Sequence, residues 1–199
     1  MTDRSQKFKT IKHYHEPGDL HELTFSCYRR IKLLTNQAIR EKLARAIDAA
    51  GQKSRIALAA FVFMPEHVHL LTWLQDDQSS IEDYLWEVKR PVSLFQKAQL
   101  IAHQSRLLQR LTVSSGADKG LFRMWQEGPG YDRNLQTCEA VQASMDYIHD
   151  NPRKRKLIRN PGDWRWSSAK FYATDGLHHD ADLPKITPLP GDYWDTRKT

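Results

Sequence analysis

Phe61-Val62-Phe63-Met64-Pro65-Glu66-His67-Val68-His69-Leu70-Leu71-Thr72-Trp73 is the stretch that decides the fold. The apolar run before it reaches back to Ile56 and halts at Pro65-Glu66. A run this short, apolar throughout and bounded by a turn signal, suits a buried strand better than a helix. The turn then folds His67 to Gln75 back as its neighbour, so a hairpin forms the centre of a sheet. Residues two apart on a strand share a face. His67 and His69 therefore project together while Val68 enters a core. Two neutral imidazoles side by side on a rigid ladder make half of a divalent-metal site. An isolated His-x-His is more often a polar pair on a solvated strand face, so the pair alone does not decide.

Working outward, partial alternation of Leu20, Leu23, Phe25 and Cys27 predicts a strand to about Tyr28, followed by a basic edge at Arg29, Arg30 and Lys32. Thr35 or Asn36 caps a helix in which Ala38, Ile39, Leu43, Ala46 and Ile47 recur at helical spacing, with Gly51 as its stop. A further helix starts at Ser79 or Ser80, with Glu82 and Asp83 in its first turn. Pro91 predicts a break at Arg90 and a second helix towards Leu111. Leu121 to Gln126 reads as a short strand, Tyr131 to Leu135 resumes it, and Thr137 caps a last helix stopped by Asn151-Pro152. The order β-α-β-β-α-β-α defines an α+β domain with an antiparallel sheet. Residues 1–175 form one domain, and 176–199, rich in Asp, Pro and Gly, an extended tail.

Composition limits the functions open to such a domain. The 199 residues are 40% hydrophobic and 27% charged, enough for a real core. A net charge of +6 points to a polyanionic partner, nucleic acid ahead of a membrane surface. Cys27 and Cys138 are the only cysteines, which excludes a disulfide framework and a zinc ribbon and suits a reducing compartment. The charged N-terminus is no signal peptide, and no stretch approaches the roughly 18 apolar residues that span a bilayer. The expectation is a soluble, cytoplasmic protein without a membrane partner. Two other histidine pairs are set aside: His13-Tyr14-His15 lacks apolar flanks, and His178-His179 lies in the tail.

The last helix carries a second constellation. Tyr147 and Asn151 are four apart and share a helical face, while His149 points elsewhere. Arg153-Lys154-Arg155-Lys156, Arg159 and Asp163-Trp164-Arg165-Trp166 follow. A basic run is often only a solvated face; interleaved with tryptophans it suits phosphate binding and base stacking, although tryptophans so closely spaced are as often core. Arg153, Lys154, Arg155, Lys156, Arg159 and Arg165 are the candidate DNA contacts, with Lys89 and Arg90 at the expected helix break. A tyrosine hydroxyl on a rigid helix, facing two histidines, can attack a phosphodiester once a metal or base assists it. Asn151 would bring its amide oxygen as a third ligand. Glu66 either reaches the metal or ends the turn. Three functions fit: a metal-dependent endonuclease acting through Tyr147, a DNA-binding protein that does not cut, and a metal hydrolase that uses water.

Phe63 to Leu71, Trp125-Gln126, Tyr147-Ile148-His149-Asp150-Asn151-Pro152 and Asp163-Trp164-Arg165-Trp166-Ser167-Ser168 together resemble the REP-associated tyrosine transposases, single-tyrosine members of the HUH (His-hydrophobic-His) endonucleases. The resemblance runs in order from about Leu20 to Tyr172. It implies a ferredoxin-like (RRM-like) sandwich with a central antiparallel sheet, helices on one face and a C-terminal extension. It implies Mg²⁺ or Mn²⁺ on His67, His69 and Asn151, and Tyr147 as the nucleophile that forms a 5′-phosphotyrosine. The implied partner is single-stranded DNA folded into hairpins, bound by a monomer or homodimer.

Overall fold

The computed structural model describes residues 17–128, 130–178 and 180–193. His13-Tyr14-His15, His179 and the last six residues of the tail lie outside the described residues.

Strand β1 (Leu20–Ser26) leads through a short loop to helix α1 (Gln37–Ser54). The central hairpin is β2 (Ile56–Phe63) and β3 (His67–Leu74), and helix α2 (Ile81–Ala102) follows. A single turn, α3 (Leu107–Arg110), precedes β4 (Tyr131–Leu135), helix α4 (Cys138–Lys154) and a short α5 (Ala169–Ala173). The four strands lie in the order β2-β3-β1-β4, all antiparallel, which is the ferredoxin-like arrangement. Side-chain oxygens cap all three long helices: Asn36 accepts from the Ile39 amide, Ser80 from Asp83 and Thr137 from Ala140.

The pleat sorts the strands into two faces. Leu23 and Phe25 of β1, Phe61 and Phe63 of β2, and Val68, Leu70 and Leu74 of β3 form the main core with α1 and α2. The other face carries a smaller core, in which Ala60, Val62 and Leu71 meet Val141 and Ile148 of α4. The expected helices on one face are thus α1 and α2, and α4 adds a third layer on the other. The chain after α4 covers the edge of β2: Phe63 N–H donates to Trp166 O at 2.8 Å, and Ser168 N–H to Phe61 O at 3.1 Å. Farther on, Thr187 N–H donates to Leu58 O at 2.8 Å, and the hydroxyl of buried Tyr193 donates to Gly18 O at 2.5 Å. The described part of the tail is therefore a strap packed on the domain.

Several boundaries differ from the sequence reading. Helix α1 runs past Gly51 and ends where Arg55 adopts a left-handed conformation, φ +52°. Gly51 is required for a different reason: a Cβ there would come within 2.8 Å of Ile56 O. Helix α2 does not break at Arg90; it continues through Pro91. The proline forfeits one backbone hydrogen bond, a local cost that burial of Val88, Val92 and Leu100 on the same helix outweighs. Likewise α4 runs through Pro152 to Lys154, because a proline in the last turns removes little of the helical ladder, and Lys156 at φ +58° then turns the chain. Residues 121–126 form no strand: only isolated bridges, Cys27 to Trp125 and Thr112 to Phe122, join them to their neighbours.

Candidate active site

The second face of the sheet opens into a cleft of about 710 Å³ between β1, β3, β4 and α4. His67 and His69 enter it from β3, Glu22 and Thr24 from β1, Tyr131 and Arg133 from β4, and Ser144, Tyr147 and Asn151 from α4. Strand alternation and helical spacing account for each set. Their meeting depends on α4 lying across the sheet, held by Val141 and Ile148 against Leu71 and Val62.

The two imidazole rings stand edge to face, centroids 4.8 Å apart. His69 Nδ1 is 2.8 Å from Thr24 Oγ1, and its Nε2 is 3.2 Å from the Asn151 amide nitrogen. An amide N–H donating to Nε2 requires that nitrogen to be unprotonated, so Nδ1 carries the hydrogen and donates to Thr24. His67 is set similarly, with Nδ1 3.2 Å from Glu66 Oε1. Both rings thus have Nδ1 engaged by a neighbour, the usual outer partnering of metal-ligating histidine, and a ligand on His69 Nε2 would take the place of the Asn151 N–H. Burial pushes the His69 imidazole down to about 3, with help from the neighbouring His67 and from Arg30. His67 is lowered too, first by burial and against the pull of Glu66. Both rings are therefore neutral, as ligation requires.

His67, His69 and Asn151 fit a divalent cation: two aligned neutral imidazoles and an amide that a half-turn would present oxygen first. Among the described residues no three His, Cys, Asp or Glu side chains converge as a metal site by themselves. The amide or solvent has to complete the set. Glu66 is turned away to another task. Its Oε1 accepts from Arg155 Nη2 at 2.7 Å while it meets His67, so one carboxylate ties the hairpin turn to the end of α4.

Tyr147 stands over this group, its ring perpendicular to His69 at 5.3 Å. It is 41% exposed, whereas His67, His69 and Asn151 are each 5% exposed. The hydroxyl-bearing ring is open to a large substrate, and the two histidines and the asparagine lie beneath it. His149 faces away, as its spacing predicted: its Nε2 meets Ser168 Oγ at 2.8 Å and burial pushes it down to about 4.

The candidate DNA contacts divide. Lys154 and Arg155 line the cleft, and the Lys154 ammonium lies 5.2 Å from the Tyr147 ring. Arg153 is an exposed neighbour clamped on Asp150 by two hydrogen bonds. Lys156 and Arg159 are exposed and do not line the cleft. Lys89 lies over the Phe25 ring and Arg90 over Trp86, both on α2 behind the sheet. Arg165 is held by Asp180 and Asp182 of the tail. Trp164 and Trp166 are structural: one donates to Phe63 O, the other stacks on the Phe63 ring, and Arg40 lies over both. Thr24, Glu22, Arg30 and Arg133 are cleft residues that the sequence reading did not assign to the site. The polar alternation Glu22-Thr24-Ser26 on β1 is the signal that points to the first two.

A ferredoxin-like sheet with paired strand histidines facing a helical tyrosine and asparagine defines the class of this domain. Its fold is that of a solved REP-associated tyrosine transposase bound to a REP hairpin, with a TM-score of 0.65 and 20% sequence identity over 92% of this chain and 95% of that chain. The resemblance seen in the motifs is thus met at the level of fold. A candidate transposase from Deinococcus radiodurans R1 aligns over 72% of this chain and 97% of that chain at 17% identity, with a TM-score of only 0.40. No protein-family model and no curated protein matches the chain.

Proposed function

We propose that this protein is a tyrosine transposase of the HUH type, a metal-dependent endonuclease and strand transferase acting on single-stranded DNA that folds into hairpins. The observation that carries the reading is the placement of Tyr147 at the mouth of a cationic cleft, directly over His69 and one turn from Asn151. The fold shared with a transposase bound to a REP hairpin supports DNA of that kind as the substrate.

In this mechanism the cleft cations draw in the phosphodiester backbone, and the Tyr147 hydroxyl, on the ring packed against His69, is the nucleophile. Its oxygen attacks the scissile phosphorus in line. The phosphorus–tyrosine bond forms, the bond to the 3′-oxygen breaks, and the departing oxygen takes up a proton as the phenol loses one. A 5′-phosphotyrosine and a free 3′-hydroxyl result, and the ester keeps the energy needed for rejoining. Mg²⁺ or Mn²⁺ on His67, His69 and Asn151 would neutralise charge on the phosphoryl oxygens. Thr24 and Glu66 hold the rings in the ligating tautomer, and Glu66 with Arg155 keeps α4 in register with the hairpin.

The test is incubation of labelled single-stranded hairpins with Mn²⁺, followed by a denaturing gel. A DNA-linked protein band is expected, absent in Tyr147→Phe and with chelator. Cleavage that survives Tyr147→Phe would show water as the nucleophile. Binding without cleavage across many hairpins would leave a DNA-binding protein.

A further inference from the structure

Four cations line the cleft: Arg30, Arg133, Lys154 and Arg155. Three of them already face a carboxylate. Arg155 bonds Glu66 at 2.7 Å, Lys154 Nζ lies 3.7 Å from Asp150, and Arg133 acts electrostatically on Glu22. Arg30 forms no ion pair among the described residues, and its side chain is exposed beside the histidines.

The backbone that presents Arg30 is strained. Arg29 and Arg30 are both left-handed, at φ +51° and +55°, a conformation that costs a residue with a Cβ about 1 kcal/mol or more. Two such residues in succession persist because the loop is held on every side. Cys27 N–H donates to Glu66 O and Tyr28 N–H to Met124 O, each at 2.8 Å. Arg29 N–H donates to Gln126 Oε1 at 3.2 Å, and Arg30 N–H to Cys27 O at 3.0 Å. The bond from Cys27 ties the loop to the residue just before His67. The fold thus spends hydrogen bonds on fixing the backbone from which an unpaired guanidinium enters the cleft beside the imidazoles. Arg29, equally strained, lays its guanidinium on the Tyr28 ring at 4.9 Å and does not line the cleft.

We propose that Arg30 is a catalytic residue that binds the scissile phosphate, its guanidinium placed by the strained loop to hold a non-bridging oxygen as Tyr147 attacks. The proposal rests on the endonuclease reading above. A planar fork of donors suits a phosphate better than an ammonium does. An unpaired one gives up no internal partner when the phosphate arrives.

Glycine adopts left-handed backbone freely, which separates strain from function. Arg30→Gly, Arg30→Gln, Arg30→Lys and the control Arg29→Gly are compared with wild type. Three readouts are taken: thermal unfolding, hairpin binding with EDTA present, and adduct formation with Mn²⁺. Arg30→Gly is expected to melt no lower than wild type, yet to form adduct about 10²-fold more slowly, the usual cost of losing one transition-state donor. Arg30→Gln should flatten the dependence of log affinity on log salt by about 0.7, the loss of one phosphate contact to a single strand. Arg30→Lys should recover part of both losses. Arg29→Gly should melt higher and keep its adduct rate. Wild-type rate and salt slope in Arg30→Gly and Arg30→Gln would overturn the proposal. A wild-type protein that binds hairpins but forms no adduct on Tyr147 would overturn the endonuclease reading instead, and the salt slope would still report on Arg30 as a phosphate contact.

Discussion

Strand β3 has two sides, and they do opposite work. Towards α1 and α2 it sends Val68, Leu70 and Leu74, all fully buried among apolar neighbours. Towards α4 it sends His67 and His69, almost as buried but among polar groups and cations. One side stabilises the sheet that the other uses. The polar face can bury two histidines, each with a hydrogen-bond partner, because it sits on a ladder fixed from behind.

Cutting into the closed side should give the largest change in stability. Leu70→Ala removes a fully buried side chain from the main core, and about 2–5 kcal/mol of unfolding free energy should go with it. Urea denaturation measures the loss. Tyr147→Phe, on the open side and partly exposed, should change stability by no more than about 0.5 kcal/mol while abolishing the covalent adduct. A Tyr147→Phe variant as unstable as Leu70→Ala would show the tyrosine to be core.

Acid should act on the open side next. His69 is held down to about 3 in the folded protein, against about 6.5 in an unfolded chain. Below pH 6.5 the unfolded state takes up a proton that the folded state refuses. Stability is therefore complete above about pH 6.5 and falls as pH drops towards 3, by up to about 1.4 kcal/mol per unit for this one histidine. His149, held down to about 4, adds to the fall over the upper part of that range. Melting temperatures from pH 7.5 to 4.5 should decline, and His69→Asn should flatten the curve. An unchanged slope in that variant would mean the ring is not buried neutral.

How much of this was legible follows from the range of each signal. Period two placed His67 and His69 together, and period 3.6 placed Tyr147 with Asn151, because both are local rules. The facing of β3 and α4 is not local. Only the motif resemblance anticipated it, and Val141 and Ile148 packing on Leu71 and Val62 produce it. Pro91 misleads because the restriction a proline puts on the residue before it is a local rule, blind to the burial of Val88 and Val92. Lys89 and Arg90 were grouped with the site on account of that expected break, and once α2 is continuous they lie behind the sheet. Arg30 was visible only as one of several basic residues, since nothing in Arg29-Arg30 announces two left-handed residues. Glycine or asparagine would have announced them.

Thr24 sharpens the comparison with a smaller effect. Its hydroxyl takes the His69 Nδ1 hydrogen at 2.8 Å and touches nothing that reacts. Thr24→Val keeps the shape and removes the acceptor, so Mn²⁺ affinity should fall about 10-fold or more, the range found for outer partners of metal-bound histidine. Thr24→Ser should restore it. Nitrogen NMR of the metal-free protein gives an independent readout: the His69 ring should lose its single Nδ1–H tautomer in the valine variant.

The smallest effect belongs to Arg165, an expected DNA contact that the structure gives to the tail. Its guanidinium bonds Asp180 and Asp182, yet the side chain is well exposed, so solvent screens the pairs. Arg165→Ala should cost less than about 1 kcal/mol by urea denaturation. Because two carboxylates already oppose its charge, the salt slope of hairpin binding should move less than it does in Arg30→Gln. A slope change in Arg165→Ala as large as in Arg30→Gln would mean that DNA displaces the tail from Arg165, and the cationic track would then extend from the cleft to the edge of β2.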